Sequence, residues 1–239
     1  MPQLYPLTPR QRFVFYYQSA SATLWFCCLA RFLILLPLVG RRFLPGGIAD
    51  FFHVVSILPV GDVIIERVLA TARNSTTDTY FDLFVGIKMV WLCYGVIFQY
   101  PKIAKHTLYS VLIASWCILW SIHFVFKAFT TKTRRCPSWL LKLQYSNFFL
   151  TYPSSWVAEL ILIFLALKFV EHDIYELFLQ AVIVSYVPVG YLSLKYLRKR
   201  RTRKCTEVLN KRKASSKNST MTSASSSAQN RQPAVINQI

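Results

Sequence analysis

The run Leu108-Tyr-Ser-Val-Leu-Ile-Ala-Ser-Trp-Cys-Ile-Leu-Trp-Ser-Ile-His-Phe-Val-Phe126 contains a single acidic or basic side chain, His123. Coiled as a helix, it is about 28 Å long, enough to cross the hydrocarbon core of a bilayer. Working outward, Leu177–Leu194 is the same kind of run with no charge, Phe148–Leu167 carries one charge, Glu159, and Leu83–Tyr100 carries one, Lys88. Phe13–Ala30 is free of charge and is followed by Arg31 and then Phe32–Val39, which reads as one tilted helix over roughly 13–36. A cleaved signal peptide is the rival for that segment, but its apolar region runs to about 7–15 residues, so the helix is read as retained. Gly47–Ile65 is interrupted by Asp50, His53, Pro59 and Asp62 and is counted as a span partly because an even total fits the loop charges. The fold class expected is therefore all-α, a polytopic membrane protein of about six transmembrane helices in one bundle.

Composition agrees. Of 239 residues, 54% are hydrophobic and 16% charged, too apolar for one soluble core under a charged surface. The net charge is +18, and residues 198–239 hold 11 of the 28 Lys and Arg with one acid, Glu207, a local balance of +10. Those cations follow directly on an apolar run, which points to an anionic membrane surface and not to nucleic acid. From about residue 205 the chain is Ser, Thr, Asn, Gln and Lys, a composition that predicts disorder. Two regions result: residues 1–200 as a six-helix membrane domain, and residues 201–239 as a disordered, basic, Ser/Thr-rich cytosolic tail.

With six spans, alternate loops share a side. Arg10, Arg12, Arg67, Arg73, Lys127, Lys132, Arg134, Arg135 and Lys142 fall in one group, and Arg41, Arg42, Lys102, Lys105 and Lys168 in the other. The first group, which also holds the tail, is expected in the cytosol together with both termini. The sequons at Asn74 and Asn218 then lie where no glycosylation is expected. The six cysteines, Cys27, Cys28, Cys93, Cys117, Cys136 and Cys205, include no C-x-x-C, and the histidines lack metal-ligand spacing, so neither a metal nor a disulfide framework is indicated. Nucleotide-hydrolase, α/β-hydrolase and zincin motifs are absent from the sequence.

Ionisable groups at membrane depth are costly and mark function by default. Glu159 lies about 13 residues into a fifth span starting near Ser146, too deep for so short a side chain to reach water. Burial disfavours its charged form unless a cation or hydrogen-bond donor offsets it. Tyr152 lies seven residues earlier, about 10.5 Å along the same helical face. Between them Pro153 frees the carbonyl of Phe149, and Ser154 and Ser155 are placed to re-satisfy it. Two readings stand on residue chemistry: an acid–base pair, or an interfacial Tyr152 with Glu159 as the structural partner of Lys88 or Arg31. His123 fits a helix-packing role better than catalysis, and Asp82 is expected to be solvated at the mouth of the third span.

The segment Trp139-Leu-Leu-Lys-Leu-Gln-Tyr145-Ser-Asn-Phe-Phe-Leu-Thr-Tyr152-Pro153-Ser-Ser-Trp-Val-Ala-Glu159-Leu resembles the signature of the very-long-chain (3R)-3-hydroxyacyl-CoA dehydratase family, also called protein-tyrosine-phosphatase-like. A looser likeness runs over about residues 13–200 through Tyr17-Gln18, Trp25, Arg73, Gly95–Pro101, Trp116 and Tyr186-Val-Pro188. The chain departs from the family at Trp120 and His123, where the fourth span usually carries Glu and Arg, and at Gln144, in an upstream segment usually Arg-Tyr-Asn.

The resemblance implies dehydration of a long-chain (3R)-3-hydroxyacyl-CoA to the trans-2-enoyl-CoA in fatty-acid elongation at the endoplasmic reticulum membrane, catalysed by Tyr152 and Glu159. No cofactor is implied, because CoA belongs to the substrate. Glu159 is assigned the C2 proton and Tyr152 the leaving oxygen, because a phenol is a donor at neutral pH and a poor resting base. Arg67, Arg73, Lys132, Arg134 and Arg135 supply positive charge for the CoA phosphates, although loops obeying topology alone would carry the same residues. The partners expected are the acyl-CoA, the bilayer and other elongation enzymes, with no nucleic acid. A catalytically inactive scaffold for elongation enzymes is the alternative, favoured by the fourth-span departures. A small transporter is a third class, against which the spans show no inverted repeat or paired broken helices.

Overall fold

The computed structural model describes residues 7–40, 47, 49–69, 76–133, 137–170 and 173–229. The elements are helical: α1 Pro9–Val39, α2 Ala49–Val55, α3 Leu58–Val68, α4 Thr76–Trp91 continued by a π-helical turn Leu92–Ile97, a 3-10 turn Ile103–Lys105, α5 Thr107–Thr133, α6 Ser138–Ala166, a 3-10 turn Leu167–Phe169, and α7 Asp173–Gln229. Five of these helices are long and apolar enough to cross a membrane. The all-α, polytopic membrane class expected from the sequence is thus present.

The expected second span is not one continuous helix. α2 and α3 are separate, joined by a turn at Ser56-Ile57, and Pro59 sits in the first turn of α3. A proline nitrogen has no hydrogen to donate back to the Val55 carbonyl, so the helix stops and restarts there. The other helices extend beyond their apolar runs. α1 begins at a capping box in which Thr8 and Gln11 exchange side-chain and backbone hydrogen bonds, with Pro9 in its first turn. It ends at Gly40, whose φ of +76° favours glycine. α6 begins ten residues before the predicted apolar run, because Ser138–Asn147 has helical propensity without being apolar enough to register as a span.

The chain divides after Tyr186 into two compact units, Met1–Tyr186 and Val187–Ile239. In the first, α5 is the central helix and makes its most extensive contacts with α1 and α6. An aromatic column runs through the core: Trp25 meets Phe52 edge-on at 6.1 Å, and Phe52 stacks on Trp116 at 5.7 Å and meets Tyr109 at 6.1 Å. All four side chains are buried. In the second unit helical backbone continues to Gln229, whereas composition predicts disorder from about residue 205.

Close helix approach depends on two glycines. A Cβ at Gly86 would meet Val60 Cγ2 at 2.9 Å, and one at Gly61 would collide with the Tyr17 hydroxyl. That hydroxyl donates to the Leu58 carbonyl at 2.9 Å, tying α1 to the first turn of α3. Gly61→Ala is therefore expected to destabilise the protein by roughly 1–3 kcal/mol through overpacking. Thermal unfolding in detergent checks this: Gly61→Ala should lower Tm, and adding Tyr17→Phe, which removes the colliding oxygen, should restore most of the loss.

Candidate functional site

Glu159 lies on α6 with 1% of its surface exposed. Its Oε2 accepts from Lys88 Nζ of α4 at 2.5 Å and from the Tyr186 hydroxyl of α7 at 2.8 Å, and its Oε1 accepts from Trp116 Nε1 of α5 at 3.1 Å. Lys88 and Trp116 can only donate, so both oxygens of Glu159 serve as acceptors. Each donor comes from a different helix. Trp156, one turn from Glu159, stacks on Tyr186 at 5.5 Å, and the Lys88 ammonium stands 5.7 Å from the centre of the Tyr186 ring.

Of the two sequence-level partners for Glu159, the structure realises Lys88 and not Arg31, whose guanidinium lies 6.0 Å over the Phe51 ring. Tyr152 is half-buried on α6, seven residues before Glu159, within electrostatic range of Tyr186. The proline between them does not act as expected, since Ser154 and Ser155 donate to the carbonyls of Thr151 and Tyr152, at 3.0 and 2.9 Å, and not to that of Phe149. A hydroxyl at i reaches the i−3 carbonyl on its own side of the helix, which is how both serines are used. Tyr186 and Trp116 carried no functional signal in the sequence beyond their place in the family likeness. A tyrosine and a tryptophan in apolar runs look like packing until the fold brings their polar atoms to one carboxylate.

A second polar network joins α1, α3 and α5. Lys127 pairs with Asp62 Oδ2 at 2.5 Å and with Glu66 Oε1 at 3.0 Å. Gln18 donates to Asp62 at 3.5 Å and to Glu66 at 3.1 Å, and its own oxygen accepts from Thr131 at 3.0 Å. Lys127 is thus no free loop cation, as the topology count treats it, but is committed to carboxylates on a neighbouring helix. Asp82, expected to be solvated, is half-buried on α4 within electrostatic range of Lys127.

His123 meets the Gln144 amide at 3.1 Å, and Trp120 packs edge-on against His123 at 5.2 Å. Trp120, His123 and Gln144, three of the positions that depart from the family pattern, thus lie together between α5 and α6. The cations expected at Arg41, Arg42, Arg73, Arg134 and Arg135, and the side chains of Cys136 and His172, lie outside the described residues. The described residues contain no group of three His, Cys, Asp or Glu placed to hold a metal ion.

Residues 66–207, more than half the chain, match the family described as protein tyrosine phosphatase-like protein, PTPLA. The chain belongs to the PTPLA family. The match includes Lys88, Trp116, Tyr152, Glu159 and Tyr186. Among curated PTPLA-like relatives, the very-long-chain (3R)-3-hydroxyacyl-CoA dehydratase PASTICCINO 2 of Arabidopsis thaliana is 35% identical over 108 residues, 45% of this chain and 48% of that protein. The dehydratase PASTICCINO 2B of Oryza sativa subsp. japonica is 33% identical over 108 residues, with the same coverage. The match thus spans about half the length of these dehydratases. The beta-1,6-glucan synthesis-associated protein KEG1 of Saccharomyces cerevisiae is 29% identical over 189 residues, 76% of this chain and 92% of that protein. No solved structure matches the chain.

Removing one side of the buried pair should cost more than removing both. Lys88→Met leaves a carboxylate without its cation and is expected to destabilise the protein by about 3–5 kcal/mol. The double variant Lys88→Met with Glu159→Gln should lose clearly less, and a cycle of unfolding measurements in detergent gives the coupling.

Proposed function

We propose that this PTPLA-family membrane protein dehydrates long-chain (3R)-3-hydroxyacyl-CoA, with Glu159 as the base and Tyr152 as the acid. The observation that supports it is a carboxylate at membrane depth held in acceptor form by donors from three other helices, two helical turns from a tyrosine on its own helix. In the reaction Glu159 takes the C2 proton, acidified by the thioester, as the C2–C3 double bond forms. The C3–O bond breaks and its electron pair leaves with the hydroxyl, which takes the Tyr152 proton and departs as water. Proton return from Glu159 to the Tyr152 phenolate closes the cycle, and no redox partner is required. Lys88, Trp116 and Tyr186 keep the carboxyl group oriented.

The proposal includes the setting. α2 and α3 together cover Ala49–Val68, about 30 Å if stacked end to end, so the pair serves as the second of six crossings. Setting Lys127 aside leaves eight loop cations against five, and both termini face the cytosol. The endoplasmic reticulum is the membrane, residues 1–200 form the membrane domain, and residues 201–239 form the cytosolic tail. Arg67, Arg73, Arg134 and Arg135 lie on the side from which CoA phosphates approach.

One specific observation favours a second reading, a binding member of the family without turnover. The likeness to the glucan synthesis-associated protein covers nearly all of that protein, whereas the likeness to the dehydratases covers half of them. Trp120, His123 and Gln144, where the family likeness breaks down, fit this as well. In that reading the Glu159 network is a structural tie, and the spans bind other membrane enzymes, those of fatty-acid elongation among them.

Turnover separates the two. Detergent-purified protein should convert a long-chain (3R)-3-hydroxyacyl-CoA to its enoyl product. Tyr152→Phe and Glu159→Gln, at matched folding, should each lose on the order of 10²–10⁴ in rate. A folded wild type that gives no product across several chain lengths, beside an active dehydratase control, would overturn the enzyme reading in favour of the binding one.

A further inference from the structure

A groove of about 490 Å³ lies between α1 and α5, lined by Phe15, Ser19 and Ala22 on one side and by Val125, Ala128, Phe129, Lys132 and Thr133 on the other. Its walls are almost entirely apolar, and its volume falls in the range of ligand sites. It sits where α1 begins and α5 ends, at one margin of two helices long enough to span a bilayer. Phe15, Ser19 and Ala22 follow Arg12 at spacings of three, four and three, so Arg12 continues the groove face of α1 by one turn. On α5, Val125, Ala128, Phe129 and Lys132 share a face in the same way, and Lys132 stands 5.2 Å over the Phe15 ring. Both helices thus bring a cation to the same end of the groove. Arg12 and Lys132 are exposed, and neither forms an ion pair with a described carboxylate, unlike Lys88 and Lys127.

We infer that this groove holds an anionic glycerophospholipid of the surrounding bilayer, one acyl chain against Phe15, Ala22, Val125 and Phe129 and the phosphate between Arg12 and Lys132. The division of chemistry along the groove is what selects this occupant. The groove walls are apolar, Lys132 stands at the Phe15 ring and Arg12 continues the face one helical turn beyond it, an arrangement that suits an acyl chain with an anionic headgroup. A neutral lipid would use the walls and leave the cations unpaired. The inference does not depend on catalysis at Glu159 and stands whether or not the protein turns over an acyl-CoA.

The test uses the full chain in nanodiscs containing phosphatidylserine that carries a photoreactive diazirine on one acyl chain, with diazirine phosphatidylcholine as the neutral arm. Crosslinked peptides should concentrate on residues 15–22 and 125–133 with phosphatidylserine, above the level with phosphatidylcholine. Arg12→Gln and Lys132→Gln should each reduce that labelling about fivefold, the effect of one cation at a membrane surface. Ser19→Phe, which fills the groove without touching a charge, should reduce labelling there with both lipids. The basic segment after Arg198 attracts phosphatidylserine in every variant alike, so the difference at these two peptides is the readout. Labelling spread evenly over the lipid-facing helices, equal labelling by both lipids, or labelling unchanged in the double charge variant would overturn the inference. Displacement of the label by equimolar long-chain acyl-CoA would overturn it as well and assign the groove to that ligand.

Discussion

A carboxylate in the middle of an apolar helix bundle has to find donors inside the protein, because lipid offers none. At Glu159 it finds three, and each stands on a different helix: Lys88 on α4, Trp116 on α5 and Tyr186 on α7. The desolvation cost of such an ion pair is offset only when geometry is good and the remaining lone pairs are used. The register of four helices is therefore linked through one side chain. Trp116 carries the constraint further, since its ring stacks on Phe52 of α2, which in turn meets Trp25 of α1. α4, α5 and α7 are thus coupled directly, and α2 and α1 through one and two aromatic contacts, to the position of a single carboxyl group.

The second polar network obeys the same rule at another place. α3 brings two acids, Asp62 and Glu66, into contact with α1 and α5, and Lys127 with the Gln18 amide receives them. Without that pairing a helix carrying two carboxylates on one face would have no stable place against apolar neighbours. The break at Pro59 and the close approach allowed by Gly61 let α3 sit there independently of α2. The interrupted second run is therefore held by polar chemistry on one side and by apolar packing of Phe52 on the other.

The Glu159 centre meets two demands. A base for carbon acids must be oriented, and the donors around Glu159 hold its carboxyl group in one orientation. The same donors also make a structural tie that uses both carboxyl oxygens. Between α5 and α6, the Gln144 amide meets the His123 ring, and Trp120 packs on that ring.

The apolar runs determined by themselves that the chain is helical and crosses a membrane, since backbone groups in hydrocarbon leave no other arrangement for stretches of this length. The cost of burying charge likewise marked Lys88 and Glu159 as residues needing a reason. What the runs did not determine was where that charge goes. Hydropathy is a property of single positions, whereas Trp116 and Tyr186 acquire polar roles only because α5 and α7 turn those faces toward α6. Lys127 shows the same limit from the other side, as it reads as a loop cation and becomes a buried partner of Asp62 and Glu66 through the placement of α3. The division of the second run at Pro59 was decided by a missing backbone donor together with the contacts that hold the two pieces apart. Partner choice depends on distance between segments remote in sequence, and only the tertiary structure fixes those distances.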